Sequence, residues 1–287
     1  MTTTLMTTTL VTGARGKVGC GVIARLHAAG RSVRAASARP ADLTVPDGVQ
    51  RAELALDRPE AFGAALHGVQ QVFLYPQPAG IHAFVEAAEA AGVEHVVLLS
   101  SSSVLGADAE NDPLASHSLL VERALADSGL NCTFLRPDAF TSNSLGWAYL
   151  IGQGLPIQLA HPDAHIAPIH PDDLADIAAE ALTDGSSLTG AAPTLTGPES
   201  LTFREQLAVL AQALGREIPV EQISRAEAEE QMGRHMPAAV VTSLLSLWEA
   251  ATHGPATVHD TTATLLGRPA RTYHQWAREN TAAFARA

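Results

Sequence analysis

The stretch that most constrains this chain is Leu10-Val11-Thr12-Gly13-Ala14-Arg15-Gly16-Lys17-Val18-Gly19. Residues 7–11 form a short β-branched run that leads directly into a glycine turn. Residues 18–28 then carry the apolar spacing of a helix. Strand, glycine turn and helix in that order give a G-x-x-G-x-x-G pattern its meaning. Gly13 permits the tight turn, Gly16 admits a pyrophosphate close to the backbone, and Gly19 lets the helix pack on the strand. The free N–H groups at the helix start, around Lys17 and Val18, are an anion site. Arg15 sits inside the same turn.

The rest of the first half continues the alternation. Strands are predicted at 31–36, 49–56, 71–75, 95–99 and 131–135, and helices at 18–28, 59–66, 81–91 and 114–128. Such alternation predicts an α/β fold with a doubly wound parallel sheet. The run 95–99 is apolar throughout, as a strand covered on both faces must be. Beyond about residue 141 the pattern changes. Prolines and glycines break the chain into short pieces, with helices predicted at 172–182, 203–214, 225–232 and 238–251 and one short strand at 194–196. We therefore expect a dinucleotide domain over 1–150, to which the chain returns around 166–197, and a smaller, mostly helical substrate part over 151–287.

Cofactor choice is read after the second strand. Folds that bind NAD place a carboxylate there for the ribose hydroxyls, whereas this chain has Ala35-Ala36-Ser37-Ala38-Arg39-Pro40. Ser37, Arg39 and Arg34, with Arg15 from the glycine turn, are candidates for a 2′-phosphate, which a planar guanidinium suits. NADP(H) is thus favoured over NAD. Asp57, at a strand end, reads either as an adenine-side contact or as a helix N-cap. Tyr75, Pro76 and Gln77 fall at the carboxyl edge of the sheet, where open α/β folds bind ligands.

Bulk properties exclude several classes. The net charge of −12 over 287 residues argues against binding nucleic acid or an anionic membrane. No apolar run is long enough to span a bilayer, and Met1 to Leu10 lacks the pattern of a signal peptide. Met6 is as good a start as Met1. The expected setting is cytoplasmic, the partner a small molecule, and the assembly a monomer or homodimer. Cys20 and Cys132 form no metal pattern. His161, His165 and His170 alternate with prolines and lack ligand spacing, so no metal is expected.

With the whole chain read, it resembles the NmrA-like, atypical short-chain dehydrogenase/reductase family. The likeness is carried by the glycine turn, by Val93-Glu94-His95-Val96-Val97-Leu98-Leu99-Ser100-Ser101, and by Glu122-Arg123-Ala124-Leu125-Ala126-Asp127-Ser128-Gly129-Leu130 with Leu135-Arg136-Pro137. Leu195-Thr196-Gly197-Pro198-Glu199-Ser200 and Leu266-Gly267-Arg268-Pro269-Ala270-Arg271-Thr272-Tyr273 complete it. Within that family it looks most like the bacterial NAD(P)H:quinone oxidoreductases. The resemblance implies a Rossmann domain of six or seven strands and an NADP(H) site. That site would include Asp57 with its neighbour Arg58, Tyr75, Pro76 and Gln77, and the segment from Pro137 to Phe140. It also implies a choice of activities: an NADPH-dependent reductase of a quinone or related carbonyl, a non-redox cyclase, isomerase or dehydratase, or a protein that senses NADP.

The usual proton donor of short-chain dehydrogenases, a Tyr with a Lys four residues on, is absent from this sequence. Lys17 is the sole lysine, and the tyrosines are Tyr75, Tyr149 and Tyr273. The equivalent helix start reads Leu114-Ala115-Ser116-His117-Ser118. His117 is the candidate acid, with an exposed helix-start histidine as the alternative, and water suffices if the acceptor is a quinone. Ser101, in the serine run after the fifth strand, is the second catalytic candidate. Asn143, Trp147 and Tyr149 are the candidate substrate contacts.

Overall fold

The structure is a computed structural model that describes residues 7–285; the choice between Met1 and Met6 lies outside them. The elements begin with β1 (Thr8–Val11), α1 (Lys17–Ala28), β2 (Ser32–Ser37), β3 (Gln50–Glu53), α2 (Phe62–Leu66), β4 (Gln71–Leu74), α3 (Ile81–Ala91), β5 (His95–Leu99), α4 (Ser116–Ala126) and β6 (Asn131–Pro137). They continue with α5 (Ala148–Gln153), β7 (Ile157–Leu159), β8 (His165–Ile166), α6 (Pro171–Ala181), β9 (Thr194–Leu195), β10 (Leu201–Thr202), α7 (Phe203–Leu214), β11 (Val220–Gln222), α8 (Arg225–Gly233), α9 (Ala238–Ala250), α10 (Thr261–Leu266) and α11 (Tyr273–Glu279).

Seven strands form one sheet in the order β3-β2-β1-β4-β5-β6-β9. The pairings from β3 through to β6 are all parallel. The order reverses between β1 and β4, and open α/β sheets bind ligands at such a switch point, beyond the carboxyl ends of the strands. Burial follows position in the sheet. Every residue of β4 and β5 is buried, whereas the edge strand β3 has none that is. The apolar cluster on one face joins Leu10, Val72, Leu74 and Leu98 of the strands to Phe62 and Phe84 of the helices. Those two rings meet edge to face with centroids 5.7 Å apart, the preferred aromatic arrangement.

The chain divides into two compact units. The first holds the chain up to Glu110, then Ala115–Pro137 and Leu174–Thr194; the second holds Asn111–Leu114, Asp138–Asp173 and Leu195–Ala287. The chain thus enters the second unit briefly at Asn111–Leu114, crosses again after Pro137, and returns to the first unit over Leu174–Thr194. The predicted short strand at 194–196 is the seventh strand of the sheet. The second unit is largely helical, but it also contains two two-stranded ribbons, β10 with β8 and β11 with β7, which the sequence reading left out. Its core gathers Ile151, Leu207, Leu210, Tyr273, Trp276 and Phe284. Fully buried Asp173 pins the end of this unit, accepting from Arg268 (2.8 Å) and from the backbone N–H of Arg271 (2.7 Å).

Candidate functional site

A cleft of about 500 Å³ lies at the carboxyl ends of β1 to β4. Its lining comes from four turns: Thr12 to Gly16 after β1, Ala36 to Ala38 at the end of β2, Leu54 and Leu56 after β3, and Tyr75 to Gln77 after β4. Each feature of the first turn has a physical cause. Gly13 has φ +61°, a conformation that side chains other than glycine's rarely adopt. Gly16 is the N-cap of α1 and carries no capping side chain, and no acidic residue occupies the first turn of the helix. The helix N–H groups therefore face the cleft without a competing anion. A Cβ at Gly19 would lie 2.4 Å from the Gly13 carbonyl oxygen, so only glycine lets α1 come down onto the turn.

Thr12 ties two of the turns together, a role the sequence reading missed. Its hydroxyl donates to the Phe73 carbonyl (3.1 Å) and accepts from the Tyr75 N–H (2.7 Å). The signal was a threonine before the first glycine, which looked like one more β-branched residue. The Tyr75 ring is 55 % exposed, and a Cβ on Gly13 would meet it at 3.2 to 3.5 Å. Apolar Leu54 and Leu56 give the far wall a surface suited to a flat base.

The predicted residues separate on this geometry. Gly13, Arg15, Gly16, Ser37, Tyr75, Pro76 and Gln77 come together in the cleft lining. Lys17 opens α1 and is exposed, while Val18 and Gly19 are buried beneath the turn. Arg15 is exposed, and its guanidinium has no partner among the described residues. Arg39 lies beside the cleft, where its N–H donates to the Ser37 hydroxyl (3.2 Å) and its guanidinium pairs loosely with Asp42 (3.4 Å). Arg58 pairs with Glu53 (2.7 Å) and reaches the Ala38 carbonyl (3.3 Å); Asp57 is exposed and next to Leu56.

Arg34 does not join the cleft. Its guanidinium donates to the Ala65 carbonyl (2.6 Å), the His67 carbonyl (2.9 Å) and Gln50 (3.1 Å). It caps the carboxyl end of α2, where a cation is favoured, and burial lowers its pKa.

His117 does not face the sheet. On α4 the residues Ser118, Val121, Glu122 and Leu125 are buried. His117 falls on the opposite stripe with Leu120 and Arg123, which are exposed, as the helical spacing of three requires. Ser101 caps the 3-10 turn Ser102–Leu105, where its hydroxyl accepts from the Ser103 N–H (3.2 Å) and shares a hydrogen with the Ser103 hydroxyl (2.8 Å).

Pro137 ends β6 and is buried. Phe140, Asn143, Trp147 and Tyr149 belong to the second unit. There Phe140 bridges to Ile169, Asn143 is exposed, Trp147 packs edge-on against Phe203 (6.0 Å), and Tyr149 is 74 % exposed. Of the three histidines in the proline-rich segment, His170 lies among carboxylates. Its Nδ1 accepts from the Asp172 N–H (3.1 Å) and its Nε2 meets Glu279 (3.1 Å). Nδ1 is thus engaged at the start of α6, and Nε2 reaches the end of α11.

The cleft, the open helix start and the glycine close approach fit a dinucleotide. They define a doubly wound α/β protein with an open cleft at the sheet's switch point. The chain belongs to the NAD(P)H-binding family, whose model matches residues 13–185, and is an NAD(P)H-dependent oxidoreductase. It is 39 % identical over 281 residues to the (4-alkanoyl-5-oxo-2,5-dihydrofuran-3-yl)methyl phosphate reductase of Streptomyces griseus, covering 96 % of this chain and 99 % of the relative. It is 32 % identical to the NAD(P)H azoreductase of Xenophilus azovorans, covering 96 % and 98 %. Among solved structures it shares its fold with the NADPH-dependent quinone oxidoreductase QOR2 of Escherichia coli in complex with NADPH. That likeness has a TM-score of 0.78 at 22 % identity and covers 94 % of this chain and 99 % of the other. No helix among the described residues is long and apolar enough to cross a membrane.

Proposed function

We propose that the protein is an NADPH-dependent reductase whose acceptor is a quinone or a similarly conjugated carbonyl compound. The observation that carries this is the absence of any tyrosine–lysine pair to protonate a simple alkoxide. Lys17 is spent at the start of α1. Tyr273 is buried in the second unit with its hydroxyl on Ser144 (2.6 Å), and burial raises its pKa. Tyr149 lies in the second unit, and Tyr75 belongs to the nucleotide cleft. His117 is turned to solvent. A bound reduced nicotinamide supplies a hydride. With a quinone, the resulting electron pair spreads over a conjugated oxygen, so water can deliver the proton. The dihydrofuranone in the name of the Streptomyces relative is also a conjugated carbonyl, which supports this reading of the acceptor class.

The preference for NADPH rests on two features. No carboxylate follows β2 at the ribose position. The unpartnered Arg15 and the Ser37 hydroxyl line that end of the cleft, with Arg39 beside it. Calorimetry should give a lower Kd for NADPH than for NADH, and equal values would remove this part of the proposal. Stopped-flow oxidation of NADPH against a panel of acceptors tests the rest. Saturable, rapid oxidation by quinones and little by unconjugated ketones is the expected result. Tight NADPH binding that no acceptor discharges would overturn the assignment.

A further inference from the structure

We propose that Ser118 is the hydroxyl that hydrogen-bonds the oxygen of the hydride acceptor. This rests on the reductase reading above. The adenosine half of a dinucleotide lies at the ends of β2 and β3, where the ribose contact of this fold belongs. Its reacting half therefore extends the other way from the glycine turn, over β4 and β5, to Ser100 through Ser103.

The polar atoms of that serine run are already engaged. The Ser100 N–H continues the ladder to Leu135 (2.8 Å), and its hydroxyl donates to Glu122. Ser101 and Ser103 satisfy one another, and Ser102 is also bonded. Glu122 is 4 % exposed and held from three sides: besides Ser100 it accepts from Arg136 Nε (3.0 Å) and Nη2 (2.6 Å). That hydrogen-bonded pairing raises the Arg136 pKa despite burial. Glu122 is thus a fixed strut between α4 and the ends of β5 and β6.

Ser118 stands one helical turn before Glu122 on the same face, so it projects beyond the strut toward the serine run. The helix packs there against the Ser102–Leu105 turn. Ser118 is 8 % exposed, and its hydroxyl makes no hydrogen bond among the described residues. A buried serine in a helix normally bonds back to the carbonyl four residues earlier; this one keeps its hydrogen available. In the reaction the acceptor carbon gains a hydride, the dinucleotide is oxidised, and the electron pair settles on the acceptor oxygen. Water then supplies the proton. Ser118 donates a hydrogen bond to that oxygen as its charge grows and transfers no proton itself.

The test compares Ser118→Ala and Ser118→Thr with the wild type. The readouts are NADPH-dependent quinone reduction, NADPH affinity, and the affinity of the NADP⁺-loaded protein for an anionic hydroxynaphthoquinone, which needs no turnover. Ser118→Ala should lower kcat/KM about 100-fold, the low end of what one oxyanion donor contributes, and weaken the naphthoquinone about tenfold or more. Its NADPH affinity should stay within about twofold, and Ser118→Thr should restore most of both losses. Unchanged kcat/KM and unchanged naphthoquinone affinity in Ser118→Ala would overturn the proposal. So would equal losses in the threonine variant, which mark packing alone, or no naphthoquinone binding by the wild type. A wild type that binds the naphthoquinone through Ser118 but reduces no quinone would sink the reductase reading and leave this one standing.

Discussion

The glycine turn after β1 and the serine run after β5 end parallel strands of the same sheet, yet they handle polar groups in opposite ways. The turn leaves its backbone donors open: Gly16 brings no capping side chain, and Arg15 keeps its guanidinium free of the described residues. The serine run closes on itself through Ser101, Ser103 and Glu122. An open set of donors binds a charged ligand tightly whatever follows, whereas a closed set fixes geometry and leaves few groups for chemistry. Under the proposed function, binding energy is concentrated at the glycine turn, and acceptor choice rests on very few side chains.

The strongest way to break this contrast is Gly19→Ala. Its Cβ would meet the Gly13 carbonyl at 2.4 Å, so α1 must lift off the turn. Overpacking of this kind costs roughly 1–3 kcal/mol. We expect a lower Tm and NADPH affinity reduced by two orders of magnitude or more, on the order expected when several phosphate contacts are misplaced together. Calorimetry and thermal unfolding check both. Gly16→Ala is the gentler version. Gly16 has φ −80°, which alanine accepts, and its Cβ would sit 3.3 Å from the Gly13 oxygen. The far-UV spectrum should be unchanged while NADPH binding weakens about tenfold, as for one lost charge-assisted contact. An unchanged Kd would place the phosphates elsewhere.

Arg15→Ala sharpens the comparison within the turn itself. It should weaken NADPH about 5–30-fold, the worth of one guanidinium–phosphate contact, and leave NADH nearly untouched. Equal losses for both would show that Arg15 holds the shared pyrophosphate and not the 2′-phosphate. At the other end, His117→Ala should change kcat by less than about twofold, because the ring lies on the solvent stripe of α4. A positioned acid would cost roughly 10²–10⁴-fold, so a loss of that size would mean α4 turns when the acceptor binds.

The smallest effect is one of stability. His95 is buried, Nε2 meets the Thr133 hydroxyl at 2.9 Å, and burial lowers its pKa. The folded state thus prefers neutral imidazole, while the unfolded chain takes up a proton below about pH 6.5. The contribution is present above that pH and is lost as pH falls below it. Thermal unfolding should show a lower Tm at pH 5 than at pH 7, with a shallower drop in His95→Gln.

What was legible in the sequence follows the same division. The glycine turn and the alternation up to Pro137 are local patterns, set by backbone requirements and burial period, and the first unit matches them nearly strand for strand. Arg34 was assigned to the cleft because it is close in sequence to Ser37. Its actual partners, the Ala65 and His67 carbonyls, depend on where α2 ends in space. His117 was assigned by its place at a helix start, and its direction needed the phase of α4, which Glu122 and Arg136 set. Thr12 and Ser118 were hidden for the opposite reason: neither residue type stands out where it occurs. The ribbons of the second unit are strands of two and three residues whose partners are distant in the chain, too short for any periodicity to show.

Lys17, which opens α1, gives this protein a single chemical handle. It carries the sole side-chain amine in the sequence and is exposed at the edge of the nucleotide turn. Any acylating reagent that spares the chain terminus therefore writes a single mark, one residue beyond the glycine turn that lines the proposed cofactor cleft. Occupancy of the cleft can be followed as the slowing of one labelling event, in a mixture, without a spectroscopic signal from the ligand.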